Sequence, residues 1–131
     1  MSKFLWRVAK FEIAKQFRIG SAGNNMTMEL KSIYLSDNII DESVDMLLRL
    51  SNSKSMPFDY YVIVVSPKDD EILMMLSSSE VNTDRFIEKN YHIVGFGKGK
   101  KASLNLIRFM VQDAIDNTGD ISKDAFLTIN N

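Results

Sequence analysis

The run Asp59-Tyr60-Tyr61-Val62-Ile63-Val64-Val65 constrains the fold more than any other segment of this 131-residue chain. It is aromatic or β-branched after its first residue and apolar on both parities. Such a run suits a strand covered on both faces, and therefore a sheet held between other layers. A second apolar run, Tyr91 to Gly95, reads as another buried strand, and Met26 to Leu35 alternates well enough for a third.

Helical patterns occupy much of the rest. Ile40, Val44, Leu47 and Leu48 recur at helical spacing behind Ser36-Asp37-Asn38, which supplies capping residue types, so a helix is expected over 38–51. Leu104, Ile107, Val111, Ala114 and Ile115 form an apolar stripe over 101–117, and Gly119 stands where a left-handed stop is wanted. Ser66-Pro67 followed by Asp69, Asp70 and Glu71 is a good helix start, which places a third helix at 67–78. The same residues also read as a hairpin turn feeding a strand to Leu76. Thr83 to Lys89 extends the helical region. The expected fold class is α/β, with mixed α+β as the alternative: a small sheet of about three to five strands. A strand, helix, strand, helix order from residue 59 to 117 implies parallel neighbours, with the Ser66–Glu71 and Gly95–Lys101 loops opening into one crevice.

Residues 1–25 read as a basic aromatic arm, or as a first strand, followed by a Gly/Ser/Asn linker; residues 26–131 read as one compact domain. The first 19 residues hold five basic side chains (Lys3, Arg7, Lys10, Lys15, Arg18) against Glu12 alone, so the remainder carries the acidic excess behind a net charge of −1. A basic arm suits nucleic acid, an acidic membrane face or the acidic body of a neighbouring copy. The plainer reading is that this short basic element packs on the acidic remainder of its own domain. No apolar run approaches the roughly 20 residues of a membrane-spanning helix. Cysteine is absent, so there is no disulfide framework and no thiolate chemistry, and the simplest address is cytoplasmic.

The chemistry concentrates in Gly95-Phe96-Gly97-Lys98-Gly99-Lys100-Lys101. Backbone N–H groups of a glycine-rich turn at a helix start can cradle an anion, with Lys98, Lys100 and Lys101 as donors around Gly95, Gly97 and Gly99. The plainer reading is a flexible turn, with glycines for tight geometry and lysines for solubility. Neither phosphate motif is complete. Counting from Gly95, the second glycine of a P-loop falls on Lys100. The third glycine of the dinucleotide pattern falls on Lys100 or, from Gly97, on Ala102. His92 is the only histidine and has no partner visible in the sequence, so no zinc set can be assembled. Asp69, Asp70 and Glu71 read as helix-start carboxylates rather than magnesium ligands.

No catalytic residue and no cofactor is assigned. The first functional reading is a non-enzymatic interaction or regulatory module that self-associates. Its expected contact residues are Phe4, Trp6 and Phe11 of the arm with Met74 and Met75, since methionine suits adaptable interfaces. Were Ile72 to Leu76 a strand, it would offer an edge to a second copy. A phosphate- or nucleotide-binding regulatory domain is the second reading. Nucleic-acid or membrane-surface binding through the basic N-terminal segment is the third.

Overall fold

The computed structural model describes residues 7–14, 28–66, 71–119 and 126. Nine elements follow in chain order: β1 (Arg7–Ala14), β2 (Met28–Leu35), α1 (Val44–Asn52), β3 (Tyr60–Val65), β4 (Met74–Ser77), α2 (Ser78–Val81), α3 (Asp84–Lys89), β5 (His92–Lys98) and α4 (Lys100–Thr118). The strands form one mixed sheet in the order β1-β2-β5-β3-β4. The fold is mixed α/β, as the sequence indicates.

The core lies in two layers, one on each face of the sheet. Ile33, Leu35, Val62, Val64 and Phe96 face Val44, Leu47, Met56, Val81 and Phe86, which come from α1, α2, α3 and the loop after α1. Tyr34, Ile63, Val65 and Val94 face Leu106, Met110 and Ala114 of α4, together with Phe126. The two-residue period of β3 is therefore used on both faces, which explains its continuous apolar sequence.

The expected parallel pairing of the strands at 59 and 91 is not what forms. β3 and β5 are neighbours but antiparallel, with Tyr60 opposite Lys98 and Val65 opposite His92. The parallel partner of β5 is β2, through Tyr34↔Gly95 and Leu35↔Phe96. Apolar parity records that a strand is buried, not which way its neighbour runs. Consequently the loops after β3 and after β5 leave opposite ends of the sheet, and the single crevice expected between them does not exist. The pairing skips Val94, where the register shifts between Ile63 and Val64. This bulge turns Val94 toward the α4 layer beside Gly95.

Three helix expectations also change. The helix placed at 38–51 starts six residues later, with Ser43 as N-cap accepting from the Met46 N–H at 3.1 Å. Ser36 and Asn38 are engaged elsewhere, in bonds to the end of β5 described below. The helix placed at 67–78 is replaced over 74–77 by β4, which pairs antiparallel with β3 through Ile63↔Met75 and Val62↔Leu76. Methionine and leucine are good helix formers, but pairing with the central strand overrides that preference. Residues 67–70 lie outside the described residues. The helix expected at 101–117 is present as α4 and ends at Gly119 with φ +78°, but its buried face is Ser103, Leu106, Met110 and Ala114. Leu104 and Ile115, expected inward, are exposed.

Asn82, between α2 and α3, holds the middle of the α1–β3 connection to the helical layer through the single residue Met56. The Met56 N–H donates to Asn82 Oδ1 at 2.8 Å, and Asn82 Nδ2 donates to the Met56 carbonyl at 2.9 Å. Asn82→Ala is expected to lower stability by about 2 kcal/mol, because it strands a part-buried donor and acceptor together. Chemical denaturation with an unchanged slope checks it; a loss under a few tenths would show that water replaces the amide.

Candidate functional site

Two surfaces gather the residues that the sequence singles out. The first surrounds the Gly95–Lys101 segment. Most of that segment is not a turn, because β5 continues through Lys98. Gly95 and Gly97 are buried within it and face α4. A Cβ on Gly97 would lie 2.0 Å from Ser103 Oγ and 2.9 Å from Ser103 Cα. That glycine serves close approach of helix to strand. Only Gly99 occupies a turn, as the N-cap of α4 with φ +89° and no side-chain cap.

The end of β5 is fastened from both sides. On the β2 side the Lys98 N–H donates to Ser36 Oγ at 3.1 Å, Ser36 Oγ donates to Asn38 Oδ1 at 2.6 Å, and Asn38 Nδ2 donates to the Lys98 carbonyl at 2.9 Å. On the β3 side the Gly99 N–H donates to the Asp59 carbonyl at 2.6 Å. Asp59 itself holds a left-handed backbone at φ +76°. These fastenings frame an open groove of about 510 Å³ lined by Asp37, Asn38, Asp59, Ala102, Asn105 and the 98–101 backbone and side chains. The structure brings Lys98, Gly99, Lys100 and Lys101 together there, and keeps Gly95 and Gly97 out. Three lysines share the groove with two aspartates, so its positive field is largely offset.

Lys98 Nζ lies 5.8 Å from the centroid of the Tyr60 ring. The Tyr60 hydroxyl donates to Glu42 Oε2. Burial, reinforced by that bond and by the surrounding carboxylates, raises its phenol to about 12. Tyr60 is thus a neutral donor throughout the physiological range. On the other face, burial and then the bond to Asp113 raise the Tyr34 phenol well above its ordinary value. Each hydroxyl ties the sheet to a carboxylate outside it, Tyr34 to Asp113 of α4 and Tyr60 to Glu42 ahead of α1. Near Asp59 and Asn38 in the sequence, Phe58 is 89% and Ile40 72% exposed. Ile40, read from its spacing as the first inward residue of the 38–51 helix, lies ahead of α1 instead, and Phe58 does not stand out in the sequence.

The second surface is the open side of β4. Among the described residues β4 pairs only with β3, so its outer N–H and C=O groups line one margin of the sheet. Met74, Met75, Leu76 and Ser77 are all half-buried. Met74 and Leu76 pack toward the α1–α3 layer and line a groove of about 450 Å³ with Phe86 and Tyr91, rimmed by Ser79, Glu80, Thr83 and Arg85. Phe86 and Tyr91 stack with ring centroids 5.6 Å apart. The local sequence explains the shape. Ser77 closes the strand and opens α2, its N–H bonded to Glu80 Oε1 at 2.8 Å. Thr83 then caps α3, accepting from the Phe86 N–H at 3.1 Å. These two short turns carry the chain beneath β4 and set Phe86 against it.

Of the other contact residues expected from the sequence, Phe11 lies in β1 opposite Lys31. Phe4 and Trp6 lie outside the described residues. His92 begins β5 opposite Val65 and is exposed. Glu71 is exposed, and Asp69 and Asp70 lie outside the described residues. Among the described residues, no group of three or more His, Cys, Asp or Glu side chains could hold a metal ion. Nor is any described helix long and apolar enough to cross a membrane. Compared with protein-family models, with curated proteins and with solved structures, the chain matches none.

Proposed function

We propose that this protein is a non-enzymatic interaction module that self-associates, and that β4 with its adjoining groove is the contact surface. The observation that carries this reading is the contrast between the two margins of the sheet. β1, at one margin, has Arg7, Lys10 and Glu12 along its length. Charges on an outer strand discourage pairing with another chain. β4, at the other, is Met-Met-Leu-Ser, with no charge and no proline. It lacks the features that keep an edge strand solitary. An extended segment laid against it would gain main-chain hydrogen bonds and would set alternate side chains over Met74, Leu76, Phe86 and Tyr91.

An anion site at Gly99 is less well supported, because Asp37 and Asp59 stand in the same groove as the lysines. A role for the basic N-terminal segment draws on its charge alone. The cytoplasm is the proposed location, on the absence of cysteine.

Sedimentation equilibrium over a wide range of protein concentration tests the reading. The full chain is expected to show a reversible monomer–oligomer equilibrium. Met75→Lys, which puts a charge on the open strand, is expected to shift it toward monomer by at least about ten-fold in dissociation constant, equivalent to about 1.4 kcal/mol. A full chain that sediments as a monomer at every concentration would overturn the proposal.

A further inference from the structure

We infer that two copies join antiparallel through β4, with Met75 on the two-fold axis, so that their sheets run on into one; this rests on the self-association reading above. Three observations single out this arrangement. The first is the register. In an antiparallel pair, directly opposed residues share a face of the sheet. Met74 and Leu76 lie on the α1–α3 face. Centring the pair on Met75 sets each Met74 against the other copy's Leu76 and sets the two Met75 side chains against each other. All three cross-strand pairs are then apolar, and the two grooves beside Phe86 and Tyr91 become continuous. A register centred on Leu76 would instead set Met75 against Ser77 and would bring Met74 against the first residue of α2.

The second observation is charge. Glu80 sits at the end of the groove near Ser77, which pairs with Tyr61 at the start of β3. Arg85 lines the groove and also a neighbouring depression with Ser66, Glu88 and Lys89, net positive, just beyond the other end of β3. A two-fold axis through Met75 exchanges the two ends. It therefore brings Glu80 of each copy toward Arg85 of the other, opposite signs at both rims.

The third is closure. A symmetric β4–β4 contact consumes the uncharged margin of both copies and, among the described residues, leaves the charged β1 margins outermost. The assembly stops at two.

The absence of cysteine from the chain makes the test direct, since a single introduced thiol can bridge only between copies. Met75→Cys is expected to form a covalent dimer under mild oxidation about ten-fold faster than Phe58→Cys, whose exposed thiol reports random encounter. Met74→Cys alone and Leu76→Cys alone are expected to stay monomeric on a denaturing gel, because like residues one place from the axis sit diagonally, two places apart along the strands, too far for a disulfide. A mixture of the two is expected to cross-link. Thermal melts followed by circular dichroism establish that each variant folds. If the unmodified chain self-associates but Met75→Cys cross-links no faster than Phe58→Cys, the β4 pairing is wrong and the copies meet elsewhere. If Met74→Cys or Leu76→Cys bridges with itself while Met75→Cys does not, the strands pair in another register and the inference falls. If the unmodified chain never self-associates, the inference falls together with the reading it rests on.

Discussion

Phe96→Ala is expected to lower the free energy of unfolding by about 4 kcal/mol. Phe96 is fully buried, and it stands at the middle of the sheet. Its backbone is opposite Leu35 on one side and Val62 on the other. Its ring enters the layer formed with Val44, Leu47, Met56 and Phe86. Truncation removes the ring's burial and leaves a cavity whose walls belong to a sheet and three helices. Those walls cannot close in without disturbing strand pairing. Phe96→Leu, which fills most of the volume, should recover more than half of the loss. Equilibrium unfolding in urea measures both. A loss below about 2 kcal/mol for alanine would mean that the α1 side of the sheet collapses into the space.

Gly97→Ala should be nearly as damaging, at about 3 kcal/mol, through the opposite cause. Here a single methyl group is too much. The added carbon would meet Ser103 Oγ at 2.0 Å, Cβ at 2.7 Å and Cα at 2.9 Å. Side-chain rotation could relieve the first of these contacts, but the last is helix backbone. α4 must therefore move off the sheet, loosening Leu106 and Met110, both fully buried. Ser103 is also tied in place, its Oγ donating to the Gly99 carbonyl at 2.7 Å. The double variant Gly97→Ala/Ser103→Gly removes the two closest clashes but not the third, and is expected to regain only part of the stability. A thermal midpoint for Gly97→Ala within a degree or two of the unmodified protein would show that α4 is not seated as described. The expected fall is about 10 °C.

The neighbouring positions 96 and 97 illustrate what a sequence reveals. That residues 60–65 form a strand sheathed on both faces is legible from six consecutive apolar residues. That 100–118 is a helix ending at Gly119 is legible from spacing and a stop signal. The spacing of Gly95 and Gly97 carried a second signal: two glycines two apart in a strand share one face, and that face must admit something close. Their proximity to three lysines directs attention to anions instead. Strand direction and strand order were not legible. The β3–β5 pairing depends on where residues thirty positions apart meet, and alternation of side chains is the same in parallel and antiparallel pairs. Over 74–77 the strand reading prevails over the helix for a related reason. Met74 to Leu76 suits either state in isolation, and only the vacant side of β3 decides. Because the edge status of β4 follows from strand order, the contact surface could be named from the sequence only as a condition, as Met74 and Met75 on a strand of unknown position.

Among the described residues, the last strand to leave the ribosome is the one that lies at the centre of the sheet. β5 ends at residue 98, yet it separates the ribbon β1–β2 from the ribbon β3–β4. Until it is made, neither ribbon has the other to lean on, and two narrow sheets with bare inner margins must wait side by side. Its insertion joins them, covers both margins and brings α4 down on the result. Assembly during synthesis is therefore governed by a keystone that arrives late, and a ribosome pausing before residue 92 would hold the nascent chain in its most adhesive condition.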